Sequence, residues 1–396
     1  MITFNAVKIQ SITSEIVILI PNIFFLYCNC YYYISNMNIE TIKENKTGKK
    51  KLLKGLTLNE LKDYFVESGE SKFRGEQLFS WMYNHLSGNF NEMLNLPKSL
   101  RQKLEEEAEI NTLQYVDSEI SGETGTKKYI FSTQENHKIE SVIIPENKRT
   151  TLCISTQIGC PLDCAFCATG LMGYKKNLMP GEIFDQYLLA AKDYGKDNIT
   201  NIVYMGMGEP LLNYDSTLKT LEIFAEELTT GMSLKKITVS TVGITPRIYD
   251  LADTGLKVKL AFSLHSCFDE IRSKIMPINK KYTLKQNIEA IKYYARKTKT
   301  RITFEYVMLE GINDSEDDIK ALVKLCSEIP SKINVIPFNS LQHMNPTGFS
   351  AELKPTARDK IEDFVKKLRD KNITVTVRFT QGDDIAAACG QLAVKY

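Results

Sequence analysis

Downstream of residue 149 the chain alternates between two apolar patterns. Short apolar runs of roughly four to eight residues read as strands. Longer stretches, with apolar positions recurring every three or four residues, read as amphipathic helices. Strands are expected at 150–156, 200–206, 236–240, 257–264, 301–307 and 332–337, with a further one at 373–378. Helical patterns separate them at 180–195, 215–229, 245–254, 284–297, 315–327 and 355–370. This alternation pairs strands in parallel through right-handed crossovers. The expected fold class is α/β, a partial (β/α)6 TIM-type barrel. Reactive groups then belong at the C-terminal ends of the strands.

Upstream the pattern changes. Lys128–Ser132 and Lys138–Ile144 alternate with period two around Glu135-Asn136, which predicts a β-hairpin. Helical periodicity occupies Leu58–Val66 with Thr57 as its cap, Gln77–Leu86, and a stretch near Leu100–Leu104 after Pro97. The chain therefore divides into a small helical accessory region at 37–110, a connecting segment with the hairpin at 111–149, and the barrel with a C-terminal tail at 150–396. Residues 37–55, rich in lysine up to Lys54, read as a solvated linker. Residues 1–36 stand apart as a doubtful N-terminal extension. Ile16–Ile34 is about long enough to span a bilayer. Pro21, Asn22 and Asn29 interrupt it, and no cationic lead or small-residue cleavage site accompanies it. An upstream extension ahead of Met37 fits best; an anchor and an extra folded element stay open.

Composition narrows the class. With 396 residues, 43% hydrophobic and 25% charged, the chain buries a real core. Fifty basic against 48 acidic residues leave a net charge of +2, so any RNA contact must come from local patches. Lys72, Arg74, Lys98, Arg101 and Lys103 in the helical region, and Lys175-Lys176 later, are candidates for gripping a phosphate backbone. The cysteine pattern fits a reducing, cytoplasmic compartment.

The chemistry concentrates at Cys160, Cys164 and Cys167, spaced C-x3-C-x2-C. Three thiolates this close suit three irons of a [4Fe–4S] cluster and leave the fourth iron open. Zinc is the weaker alternative, because no second Cys pair follows and the chain has four His. One strand later comes Met205-Gly206-Met207-Gly208-Glu209-Pro210, where glycines admit a ligand and Glu209 offers a carboxylate to an ammonium group. Ser240, Ser263-Leu264-His265 and Asn339 fall at the ends of later strands. Each of these alone reads equally well as a local cap.

Several longer segments carry a resemblance. They are Thr151–Cys160, Cys167-Ala168-Thr169-Gly170, Met205–Asn213, Phe262–Ser266 and Gly382–Leu392. Together they resemble the RlmN/Cfr family of radical S-adenosylmethionine enzymes, which methylate an adenine of RNA. The resemblance covers roughly residues 55–396. It implies Cys160, Cys164 and Cys167 as cluster ligands, with Gly208, Glu209, Ser240, Ser263, Leu264, His265 and Asn339 around S-adenosylmethionine. It further implies that Cys389 takes a methyl group from one S-adenosylmethionine. A second S-adenosylmethionine, cleaved reductively, supplies the radical that activates this methyl. The carbon adds to the adenine ring and leaves a protein–RNA crosslink. Glu140 is then the proton acceptor, and Cys153 resolves the crosslink through a transient disulfide with Cys389. Met205 lies near the cofactor in such proteins, and equally reads as core filler.

The implied partners are 23S rRNA, tRNA, and a low-potential electron donor such as flavodoxin or ferredoxin, with no membrane partner. RlmN-like members act on C2 of adenosine 2503 in 23S rRNA and of adenosine 37 in tRNA; Cfr-like members act on C8 of the same rRNA adenosine. Phe73–Trp81 and Gly382-Asp383-Asp384 are the more RlmN-like. Ala386, where the family often has an acidic residue, and the unmatched segment Ser340–Ser350 depart from the pattern. An activase making a radical on a partner protein is the alternative from another class, and would need no Cys153/Cys389 pair.

Overall fold

The computed structural model describes residues 50–378 and 381–393. The expectations for residues 1–36 lie outside the described residues. Helices α1 (Leu58–Glu67), α2 (Lys72–Tyr83) and α3 (Lys98–Glu107) make up the N-terminal part. Thr57 caps α1 in a reciprocal capping box: the Glu60 amide donates to Thr57 Oγ1, and the Thr57 amide to Glu60 Oε2. Helix α2 starts five residues before its apolar periodicity, because Ser71 caps it and Phe73 in its first turn stays exposed.

The linker reading fails at its C-terminal end. Residues Lys51–Leu52 form strand β1, paired in parallel with β2 (Ala108–Glu109). Lys54 is fully buried and faces Asp185 at 3.4 Å. Asp185 Oδ2 also accepts from the Thr112 amide and hydroxyl at 2.9 and 2.6 Å. A buried charge must be paired, so a lysine that looks solvated in sequence here ties two parts of the chain together.

The main sheet has ten strands. Strands β3 (Leu113–Ile120), β4 (Lys127–Thr133), β5 (Lys138–Glu146) and β6 (Arg149–Cys153) pair antiparallel. The expected hairpin is therefore no appendage; β5 hydrogen-bonds directly onto the first barrel strand. Strand β3 gives no sequence signal because it is an exposed edge with little core-facing alternation. After β6 the chain forms a small antiparallel pair, β7 (Gln157–Gly159) and β8 (Tyr174–Asn177), around the cysteine loop and the single turn α4 (Ala168–Leu171).

The parallel part then proceeds in chain order. Helix α5 (Pro180–Tyr194) leads to β9 (Asn201–Tyr204), α6 (Tyr214–Ala225) to β10 (Ile237–Thr241), and α7 (Thr245–Asp253) to β11 (Lys259–Ser263). Helices α8 (Asp269–Ile275) and α9 (Leu284–Thr298) precede β12 (Ile302–Met308), α10 (Glu316–Glu328) precedes β13 (Ser331–Pro337), and α11 (Phe349–Glu352) and α12 (Arg358–Asp370) precede β14 (Val375–Val377). Each parallel strand neighbours its predecessor, and β14 and β3 remain the edges, so the barrel is partial as expected.

The two faces of this wall differ. On β12, Ile302, Phe304 and Tyr306 pack outward against helices, with Tyr306 stacked on Phe364 at 6.0 Å. Thr303, Glu305 and Val307 face the lumen. Barrel interiors are usually filled by layers of branched apolar side chains. Here Thr151, Asn201, Thr238, Ser240, Ser263 and Asn334 leave the lumen polar and open. Among the described residues no helix is long and apolar enough to cross a membrane.

Candidate active site

Gly159 ends β7 with φ +70°, and a Cβ there would meet the Gly173 carbonyl oxygen at 1.7 Å. Only glycine permits this sharp entry into the cysteine loop. The loop is held by its own backbone: the Cys160 amide donates to Gly173 O at 3.1 Å, and the Ala165 amide to Ile275 O at 2.9 Å. Cys160 and Cys164 are buried and Cys167 partly so; all three line a cavity of about 250 Å³. Burial and the neighbouring Cys167 push the Cys160 thiol up to about 12, and Cys164 is raised further by burial and both neighbours. Thiols in this state are ionised by a bound metal rather than by the protein.

Among the described residues no three acidic, His or Cys side chains converge on a single metal-ion position. The three thiols of the loop line the cavity together, the number of cysteine ligands that a [4Fe–4S] cluster takes when one iron is left open. The donor set fits a [4Fe–4S] group with one iron left to a substrate.

The same cavity holds most of the expected cofactor contacts. Gly208 has φ +97°, and a Cβ there would lie 2.5 Å from Gln157 Cβ. Glu209 is buried; its Oε1 accepts from the Leu211 amide at 3.0 Å and its Oε2 from the Val242 amide at 2.9 Å. Burial pushes its carboxyl up to about 7, against these two donors and the Thr241 hydroxyl. An ammonium group arriving at the remaining lone pairs reverses that desolvation. Ser240, Ser263, His265 and Asn339 line the cavity too.

His265 stands at φ +54° on a buried turn. Its Nδ1 accepts from the Val307 amide at 2.9 Å, which leaves the proton on Nε2. Burial, then Arg272, hold it neutral with a pKa near 3. Phe166 of the cysteine loop packs edge-on against its ring at 4.6 Å. Leu264 does not join them. Its side chain is in the core, its amide donates to Glu305 O, and its carbonyl accepts from Arg272 and the Ser266 amide. Leucine at the end of a core-facing register points away from the lumen.

Sequence reasoning missed Arg272. It is fully buried on α8 and has no carboxylate partner among the described residues. Its Nε donates to Leu264 O at 3.1 Å, its Nη1 to Asn279 Oδ1 at 2.6 Å, and its Nη2 to Val242 O and Ser263 O at 2.6 and 3.0 Å. One guanidinium thus pins the strand-end turns after β10 and β11, beside Cys164. A lone arginine in an amphipathic helix gives no sequence signal for this.

The C-terminal tail completes the cavity. The Ala168 amide donates to Gly390 O at 2.7 Å, Thr169 Oγ1 to Leu392 O at 2.7 Å, and Asn339 Nδ2 to Cys389 O at 3.0 Å. These bonds bring Cys389 beside the turn that follows Cys167. Asn339 therefore supports the tail as well as facing the cavity. A second lobe of about 290 Å³ adjoins the first, and Cys153, Met205 and Cys389 line both. Cys153 and Cys389 are free thiols. Burial and Cys389 push the Cys153 thiol up to about 12. Cys389 is exposed toward the cavity; burial raises its pKa, with Arg378 opposing.

Glu140 is not on the cavity wall. It is 3% exposed, on β5 beneath the tail, with Oε1 3.7 Å from Lys128 Nζ and no partner for Oε2 among the described residues. Burial raises its pKa, opposed by Lys128 and the Ala393 amide. Lys128 also donates to Ile385 O of the tail at 2.5 Å. Lys176 is already paired with Glu135 and Glu182 at 2.7 and 3.2 Å, which argues against its role as a phosphate grip.

Two family models match the chain: the radical SAM superfamily over residues 154–326 and the N-terminal domain of ribosomal RNA large subunit methyltransferases over 52–110. A probable dual-specificity RNA methyltransferase RlmN of Flavobacterium johnsoniae is 41% identical over 349 residues, 87% of this chain and 98% of that protein. The dual-specificity RNA methyltransferase RlmN of Alcanivorax borkumensis is also 41% identical, over 86% of this chain and 89% of its own length. The crystal structure of a radical SAM methyltransferase from Sphaerobacter thermophilus superposes with a TM-score of 0.80 at 38% identity, covering 86% of this chain and 99% of that one. The cavity and these likenesses agree on the cofactor, and the chain belongs to the RlmN family of radical S-adenosylmethionine RNA methyltransferases, which use a [4Fe–4S] cluster and S-adenosylmethionine.

Proposed function

We propose that this enzyme methylates C2 of adenosine 2503 in 23S rRNA, and of adenosine 37 in tRNA, with Cys389 carrying the methyl group. The observation that carries the reading is that Cys153 and Cys389, far apart in sequence, line one cavity with Cys160, Cys164 and Cys167. A ring C2–H is neither acidic nor nucleophilic, so transfer of CH3⁺ from a sulfonium fails there. When bound at the three cysteines, the cluster supplies one-electron cleavage of S-adenosylmethionine, the hard chemistry that the protein only positions.

The chain's own groups do the rest. Glu209 orients the ammonium group of the cofactor, while Gly208 lets it approach and Ser240, Ser263, His265 and Asn339 line its surroundings. Cys389, as thiolate, accepts the first methyl group. Once the methyl carbon has joined adenine and the ring radical has passed its odd electron back to the one-electron donor, Glu140 takes the ring proton. Its buried, incompletely bonded carboxylate suits a base of raised pKa. The Cys153 thiolate then attacks Cys389 Sγ: the S–S bond forms, the bond from Cys389 Sγ to the methylene carbon breaks, and that carbon takes a proton to become the methyl group of the released base. The disulfide consumes two thiols, so an external donor such as flavodoxin or ferredoxin must return two electrons before the next turnover. Both thiols and cluster require the reducing conditions of the cytoplasm. Residues 37–110 add RNA contact through the exposed Lys72, Lys98 and Lys103.

The test is an anaerobic assay of the cluster-loaded enzyme with reductant, S-adenosylmethionine and rRNA, followed by mass spectrometry of the digested RNA. Formation of 2-methyladenosine together with 5′-deoxyadenosine is expected. Formation of 8-methyladenosine overturns the C2 assignment, and absence of both products overturns the reading.

A further inference from the structure

The end of the lumen away from the cysteines is cationic. Arg149 begins β6, Lys259 begins β11, and Lys332 is the second residue of β13, so all three sit at the N-terminal ends of parallel strands. Arg378 follows β14 and stands higher in the lumen. Arg149, Lys332 and Arg378 line both lobes of the cavity that holds Cys153 and Cys389; Lys259 lines one.

Two carboxylates face them. Glu305 is buried and accepts from Asn334 Nδ2 at 2.9 Å, and Glu146 at the rim pairs with Arg149. Among the described residues Lys259, Lys332 and Arg378 form no ion pair or side-chain hydrogen bond, and the Arg149 Nε is buried without a partner. Burial, then Arg378, lower the Lys332 pKa, with Lys259 and Arg149 adding to the effect and Glu305 opposing it. Four cations share this lumen with two carboxylates, one of them already paired with Arg149, and the excess positive charge is self-repelling. They are intelligible as a site whose ligand brings the missing negative charge.

The ligand's identity follows from length. The seven residues of β12 span about 20 Å from mouth to mouth. The carboxylate of S-adenosylmethionine must stay beside the open iron at the opposite mouth, so it cannot also neutralise this end. The remaining anion that must enter the lumen is the RNA backbone attached to a flipped adenine.

We infer that Arg149, Lys259 and Lys332 form a phosphodiester cradle, and that the target nucleotide enters the lumen from the N-terminal ends of the strands, opposite the cluster. This rests on the RNA-methyltransferase reading above. The adenine then points up the lumen toward Cys389 while its flanking phosphates stay among the cations.

The experiment is equilibrium binding of a labelled RNA hairpin carrying the target adenine, without reductant, across a salt series. Lys332→Gln, Arg149→Gln and Lys259→Gln are compared with Lys332→Arg and with Lys320→Gln on the outer face of α10. Each neutralising variant should lose roughly tenfold in affinity near physiological salt, with a salt slope shallower by about 0.7–0.9 per lost contact. Lys332→Arg should restore both, and Lys320→Gln should change neither. Affinities and slopes equal to wild type in all three variants overturn the inference, as does weakened S-adenosylmethionine binding with RNA binding intact. If Lys332→Gln fails to fold, Arg149→Gln and the exposed Lys259→Gln carry the same readout. Wild-type protein that makes no methyladenosine, yet shows this loss of binding, refutes the proposed function and leaves the cradle standing.

Discussion

At the C-terminal mouth of the lumen, Glu209 is met by two backbone amides and Arg272 by four oxygen acceptors. At the N-terminal mouth, Lys259 and Lys332 face the cavity with no ion pair among the described residues. Fixed, fully bonded groups suit small ligands of constant shape, because their geometry is set before the ligand arrives. Unanswered charges on long side chains suit a flexible polyanion that supplies its own counter-charge. The contrast separates a preorganised cofactor end from an adaptable substrate end.

Removing a cluster thiol should break the upper end outright. Cys164→Ala is expected to lose the brown iron–sulfur absorbance after anaerobic loading and to form no 5′-deoxyadenosine. Retained cluster and product would contradict the assignment of all three cysteines. The tail comes next. Cys389→Ala should abolish methylated RNA, whereas Cys153→Ala should let a covalent protein–RNA species accumulate, visible as a shifted band on a denaturing gel. Full turnover of either variant removes the two-thiol mechanism.

Arg272→Met tests how much the pinning of strand ends matters. It strands the Val242 and Ser263 carbonyls in a buried site, at roughly 1–3 kcal/mol for each unmet group. A stability loss on the order of 4 kcal/mol in denaturant titration is expected, together with weaker S-adenosylmethionine binding. A change below about 1 kcal/mol would show the guanidinium to be dispensable.

The smallest effect is in pH. The Glu209 carboxyl, raised to about 7 by burial, gains a proton as pH falls through that value. The ammonium of S-adenosylmethionine needs the ionised form. Affinity should therefore be flat above pH 7 and fall up to tenfold per pH unit below it. Calorimetry with the cluster-loaded enzyme between pH 5.5 and 8.5 measures this, and Glu209→Gln should flatten the dependence. RNA binding at the other mouth rests on guanidinium and ammonium groups and should not share this pH dependence.

The sequence determined whatever depends on neighbours along the chain. C-x3-C-x2-C, the Gly208-Glu209 turn, the Thr57 cap and the strand–helix alternation are short-range patterns, and each was readable from residue type and spacing. Tertiary structure alone decided which distant groups meet. It buried Lys54 against Asp185, set β5 against the first barrel strand, turned Leu264 into the core and covered Glu140 with the tail. It also brought Arg149, Lys259, Lys332 and Arg378, each unremarkable on its own strand, into one lumen. The reason is geometric. Local patterning fixes which face of an element is apolar, but sheet order and register fix which polar side chains share the enclosed space, and that information exists only once the strands have paired.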